Sequence, residues 1–109
     1  MATTYKALGQ VAPSATTATT LYTCPSATQT VVSTITVCNQ AGTSGTYRIA
    51  VRPNAATLAQ EHYVVYDATI AANTTAAYTL GLTIDASDVI TVYASSGNFS
   101  FNAYGSEIA

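Results

Sequence analysis

TVVSTITVCNQAGTSGTYRIAVRP, residues Thr30 to Pro53, decides the fold class. In its first half Val31, Ile35 and Val37 share one parity. In its second half Tyr47, Ile49 and Val51 alternate with Thr46, Arg48, Ala50 and Arg52. A period of two marks a strand with one buried face. Between the halves, Asn39 to Gly45 supplies turn residues and two glycines. The stretch predicts an antiparallel hairpin at the centre of an all-β domain, ended by Pro53, which cannot donate to a ladder.

Working outward from it, Tyr5–Gln10 and Leu21–Cys24 read as short strands, with the polar, aperiodic VAPSATTATT between them. Residues 1–20 therefore form an N-terminal edge strand or arm, and 21–109 the body of one domain. Asn54–Gln60 is a loop with at most one helical turn, because a lone helix this short is unstable. Glu61–Thr69 is apolar at both parities: Val64 and Tyr66 on one face, Tyr63 and Val65 on the other. Thr75–Ile84 follows, with Gly81 a bulge candidate. Asp88–Ser95 and Phe99–Tyr104 complete the set, separated by a Gly-Asn turn. Glu107–Ala109 reads as a tail. About eight short strands at 8–12-residue spacing predict an antiparallel β-sandwich, jelly-roll or Ig-like.

Composition narrows the function classes. Charged residues make up 7% of the 109, against roughly a quarter in ordinary soluble proteins. Thr, Ala, Ser and Asn take those places, which suits packing against other protein more than life as a lone soluble monomer. Lys6, Arg48 and Arg52 are the only basic residues and the net charge is −2, too few cations to grip nucleic acid or an anionic membrane. No apolar run is long enough for a spanning helix. MATTYKALGQ lacks the apolar segment of a secretory signal, so with Met1 as its start the chain is expected to be made in a cytoplasm. Cys24 and Cys38 are expected to stay free. If Pro25–Gln29 joins paired strands, they lie about 20 Å apart along the ladder, beyond disulfide reach.

No chemical constellation stands out. His62 is the single histidine, and Ser33 and Asp67 lack a nucleophile-elbow context. It reads as a half-exposed strand residue. Asp85 and Asp88 could offer two carboxylates to a cation, but Ca²⁺ needs six to eight oxygens, and Asp in a turn ordinarily bonds its own backbone. Neither a catalytic residue nor a metal or cofactor site is assigned. Eight tyrosines with no Trp is an unusual aromatic set. By parity Tyr47, Tyr66 and Tyr78 belong to the core. Tyr5, Tyr22, Tyr63, Tyr93 and Tyr104 are surface candidates, suited to a protein interface or to stacking on sugars.

VVSTITVCN (Val31–Asn39), YRIAVRP (Tyr47–Pro53), YVVYDATIAANTTAAYTLGLTIDASDVITVYA (Tyr63–Ala94) and FSFNAYGSE (Phe99–Glu107) resemble a family of small all-β virion proteins of tailed bacteriophages, notably phages of cyanobacteria and marine bacteria. The opening ALGQVAPSATT and LYTCPSATQTVVSTI are similar to that family's start. The resemblance implies a non-enzymatic, multi-copy structural role located in the virion. A capsid decoration or cement protein, homo-oligomeric and bound to the major capsid protein or other virion proteins, is the leading expectation. A tail, baseplate or fibre component and a carbohydrate-binding module are its rivals. Tyr5, Tyr63, Val65, Tyr93 and Tyr104 are the expected interface residues. Tyr63 and Val65 are placed there because one domain has one core, and a strand apolar on both faces needs outside cover on one.

Overall fold

The alternation is satisfied across two stacked sheets. The computed structural model describes residues 2–109, and Met1 lies outside them. Its strands are β1 (Thr3–Val11), β2 (Thr19–Thr23), β3 (Gln29–Asn39), β4 (Gly45–Arg52), β5 (Tyr63–Ile70), β6 (Thr74–Tyr78), β7 (Leu82–Ile84), β8 (Val89–Ala94) and β9 (Phe99–Ile108). One sheet runs β1-β9-β3-β6, with β7 also on β3, and the other runs β2-β8-β4-β5. All pairings are antiparallel. The pairs are nested: β1 with β9, β2 with β8, β3 with β6 and β7, β4 with β5. That nesting is the jelly roll, so of the two expected sandwiches the Ig-like one is set aside.

The central hairpin does not form. Strands β3 and β4 have the expected alternation and nearly the expected bounds, but β3 pairs with β9, β6 and β7 and β4 with β8 and β5. The loop Gln40–Ser44 carries the chain from one sheet to the other. Two strands flanking a Gly-rich loop look alike in sequence whether they pair or cross, because both bury one face in the same core. Parity also shifts inside β3. A bulge between Val32 and Thr34 turns Val32 inward beside Ile35 and Val37, leaving Val31 half-buried.

Tyr47, Phe99, Phe101, Ile35, Ile49 and Ile90 are the largest fully buried side chains. The Tyr47 ring lies 6.2–6.5 Å from those of Tyr78, Phe99 and Phe101, tilted or edge-on. Its hydroxyl bonds that of Tyr78. Such pairs add about 0.5–1.5 kcal/mol each beyond the area they bury. At one end of the sandwich the buried Asn39 amide donates to the carbonyls of Thr43, Ile70 and Ala71, and its Oδ1 accepts from the Ala41 N–H. One side chain thus fastens the β3–β4 crossover to the β5–β6 turn.

At the other end Tyr22 departs from its expected surface place. It is buried, and its hydroxyl donates to Glu107 Oε2 (2.5 Å) and lies 2.8 Å from Thr30 Oγ1. Lys6 completes the group with a 3.0 Å ion pair to Glu107 Oε1. The expected tail is therefore the end of β9, held by Glu107. Cys24 is buried beside this group, its Sγ 3.2 Å from Thr30 Oγ1, and both cysteines are free. Cys38 lies eight residues beyond Thr30 on β3, about 26 Å away along the strand. The separation stands although β2 and β3, assumed paired, lie in different sheets.

Gly81, at φ +62°, does more than bulge a strand: it lies in the break that splits the expected Thr75–Ile84 into β6 and β7. Residues 1–20 are expected as an edge strand or arm, and β1 is an edge strand integral to the sheet, with Leu8 in the core cluster. At Gly9 an added Cβ would meet the Leu21 carbonyl oxygen at 2.1 Å, so the close approach of β1 to β2 at this point requires a missing side chain.

Candidate interaction faces

Each sheet has one face on the core and one outside it. On β9, Phe99, Phe101 and Ala103 are buried, so Ser100, Asn102, Tyr104 and Ser106 point out. The register carries this across the sheet in rungs. Tyr5, Ser106, Val31 and Thr83 form one; Ala7, Tyr104 and Thr34 the next. Gln10, Asn102, Thr36 and Ala77 form a third, and Ser100, Cys38 and Thr75 a fourth. No charged residue occurs in any of them. Lys6 and Glu107, on the same strands, have the opposite parity and pair with each other, Glu107 also accepting from Tyr22. Tyr5 is 83% exposed and Tyr104 is 40% exposed. Four strands about 4.8 Å apart and about ten residues long make a face of roughly 600 Å².

The outer face of β2-β8-β4-β5 carries the charge instead. Arg48 on β4 donates from Nε to Asp67 Oδ1 (2.7 Å) and from a terminal nitrogen to Oδ2 (3.3 Å). Its guanidinium carbon lies 4.4 Å from the Tyr66 ring centroid and 4.3 Å from that of Tyr93. Stacked between two rings and hydrogen-bonded to Asp67, Arg48 is held firmly protonated. Arg52 donates to Thr91 Oγ1 and to the Ala56 carbonyl. Tyr63 meets Tyr66 edge-on at 4.9 Å. Beside them an open groove of about 720 Å³ is lined by Leu58, Ala59, Gln60, Tyr63 and Tyr66.

The five expected interface residues therefore divide. Tyr5 and Tyr104 lie on the uncharged face, Tyr63 and Tyr93 on the charged one. Val65 turns inward opposite Ile49 and packs on the core, against the expectation that it looks outward. The reason is two irregularities in β5. Ile49 faces Val65 but Ala50 faces Tyr63, so Val64 is extruded. Tyr66 and Asp67 together oppose Arg48, with Asp67 at φ +50°. Tyr66, assigned by parity to the core, is 60% exposed, and Val64 is 45% exposed. Sequence reasoning missed Tyr66 and Arg48 as a surface pair, and only the opposite charges of Arg48 and Asp67 hinted at it.

The remaining candidates are tied up in backbone. His62 lies in the turn before β5, not in a strand, and its Nδ1 accepts from the Ala59 N–H at 3.0 Å. Asp88 accepts from the N–H groups of Asn54 and Asp85, and Asp85 from that of Ala86, as turn carboxylates do. Among the described residues no three His, Cys, Asp or Glu side chains are grouped to hold a metal ion. Comparison with protein families, curated proteins and solved structures finds no match to this chain.

Proposed function

We propose that this chain is a non-enzymatic structural subunit of a tailed-phage virion. In this reading it is a decoration or cement protein, made in the host cytoplasm, that lays the β1-β9-β3-β6 face on the major capsid protein. The uncharged outer face is the observation that carries the reading. A protein surface normally intersperses charge to stay soluble and apart. A sheet face of Thr, Ser, Asn and Tyr can be desolvated without stranding an ion, since no charge on it needs a partner. At roughly 600 Å² it approaches the 800 Å² or so that each partner contributes to a stable interface. The resemblance of Val31–Asn39 and Tyr63–Ala94 to phage virion proteins points the same way.

The test is to add the purified chain to particles lacking it and to locate the bound copies by cryo-electron microscopy. Copies on the capsid lattice, with Tyr104 and Thr36 at the contact, support the reading. Copies confined to tail, baseplate or fibre would move it to that rival, and no bound copies would end it. A second reading is favoured by the groove at Tyr63 and Tyr66. Two fixed rings beside the Gln60 amide offer a neutral sugar both a stacking face and hydrogen bonds. Glycan-array binding that Tyr66→Ala abolishes would establish it.

A further inference from the structure

An antiparallel ladder alternates reciprocally bonded pairs with unbonded ones. At the start of β1 the phase is fixed: the Ala2 N–H donates to the Ala109 carbonyl and the Ala109 N–H to that of Ala2. Two residues on, Thr4 faces Glu107, and after that Lys6 faces Gly105, so these are the bonded pairs. Thr3, Tyr5 and Ala7 then direct their N–H and C=O groups away from β9. Among the described residues nothing pairs with them there, because β1 is the last strand of its sheet and residues 3–7 are all exposed. Six backbone groups are left free in a row.

Folded proteins usually blunt such an edge. Here the other edges are blunted. Strand β5 is broken by its two irregularities and carries Asp67; β6 and β7 are five and three residues long; β2 is five. The second half of β1 lies against β2 at Gly9. Its first half has no bulge and no proline, and its one charge, Lys6, is exposed but paired with Glu107 of the same chain.

We infer that Thr3–Ala7 pairs antiparallel with the same segment of a second copy of this chain, joining two uncharged faces into one continuous sheet. A two-fold axis through Tyr5 sets Tyr5 opposite its own copy and Thr3 opposite Ala7. Each of the three unbonded residues then exchanges both hydrogen bonds, six in all. Lys6 falls opposite Thr4 of the other copy, so the two lysines never face each other, which would be unfavourable. Tyr5 and Tyr104 come from both copies to the same outer surface across the seam. The inference rests on the multi-copy assembly proposed above and names how two copies meet.

The substitution that isolates the edge is Tyr5→Pro. Its missing N–H is one that points outward, a setting in which an edge strand tolerates proline, so β1–β9 pairing survives while strand addition does not. Sedimentation equilibrium of the wild-type chain should show a dimer, and Tyr5→Pro should raise its dissociation constant at least tenfold with the melting temperature unchanged. Tyr5→Cys should give a covalent dimer on mild oxidation, because directly opposed bonded residues lie about 5.5 Å apart, within disulfide reach. A monomeric wild type, or a dimer that Tyr5→Pro leaves intact and Tyr5→Cys fails to cross-link, overturns the inference. If Tyr5→Pro lowers the melting temperature, the Tyr5→Cys cross-link decides alone. A monomer that still decorates particles defeats this pairing only; a cross-linkable dimer that never binds particles defeats the capsid reading only.

Discussion

The sheet β1-β9-β3-β6 turns Thr36, Asn102, Ser106 and Tyr104 outward, whereas β2-β8-β4-β5 turns out Arg48, Arg52, Asp67 and three tyrosines. Both faces sit over the same core and come from the same alternation. They differ in how their polar atoms are served. On the charged face the side chains satisfy one another: Asp67 holds Arg48, Arg48 holds two rings, Thr91 and Ala56 hold Arg52. On the uncharged face many short hydroxyls and amides have only water to lose. The first arrangement makes a rigid, self-contained relief and the second a smooth surface open to a partner. A low overall charge is thus not spread evenly over this molecule, and the sheet with none outside is informative.

The largest expected effect removes the ground both faces share. Phe101 is fully buried under the uncharged face and against Tyr47 of the opposite sheet. Phe101→Ala should cost about 3–5 kcal/mol in urea unfolding. If one core carries both faces, Tyr66 and Tyr104 ring signals should be lost in a single transition; separate transitions would show that the sheets hold independently. Next is Asn39→Ala. It strands the Ala41 N–H and three carbonyls, at about 1–3 kcal/mol for an orphaned buried group. Hydrogen exchange should rise at the Ala41–Ser44 and Ala71–Asn73 ends together, and a rise at only one would show that Asn39 does not couple the sheets.

Acid should then act on one end of the sandwich. The Tyr22 hydroxyl, and after it Lys6, hold the Glu107 carboxyl below its ordinary range. The folded form therefore keeps a proton off a group that the unfolded chain protonates near its ordinary pKa. Stability from this site is complete above that value and drains away as pH falls through the folded one. Melting temperatures should drop across that acid window, and Glu107→Gln should flatten the drop. At high pH the sign reverses. Burial keeps the Tyr22 and Tyr47 hydroxyls protonated, so their contribution is lost as pH rises above about 10.

The smallest effect on stability is the sharpest test of the comparison. Thr36→Lys with Ser106→Lys charges the uncharged face on rungs that do not oppose each other, and Thr20→Lys with Thr69→Lys is the matching change on the other sheet. Each should leave unfolding within about 0.5 kcal/mol of wild type. Only the first should abolish particle binding; equal loss in both would remove the distinction between the faces.

The sandwich was legible in the sequence because period-two alternation reports burial, and burial survives any rearrangement of partners. Tyr47, Ile49 and Val37 needed no knowledge of their neighbours. Tyr5 and Tyr104 were legible as surface residues because their strands run without interruption near them. Pairing was not legible: Gln40–Ser44 has the composition of a hairpin turn and serves as a crossover. Nor was β5, where each inserted residue reverses the parity that follows and exchanged the places of Val65 and Tyr66. The Tyr22 site escaped because Thr30, eight residues away but in the other sheet, and Glu107, 85 residues away, meet Tyr22 only once the roll closes.

That closure has a consequence for how the molecule is born. Among the described residues β1 has no sheet partner except β9, and β9 is also the neighbour that β3 needs. While the ribosome is still adding residues at about 5–20 per second, the first strand therefore waits for seconds with both of its edges bare. Topologies dominated by distant pairings already close slowly, in milliseconds to seconds. During that interval Thr3–Ala7 offers both edges to other nascent chains, and Lys6, with Glu107 not yet made, is the one charge that opposes their pairing. Under the multi-copy assembly proposed above, the greatest hazard of premature association comes before the last strand has been made.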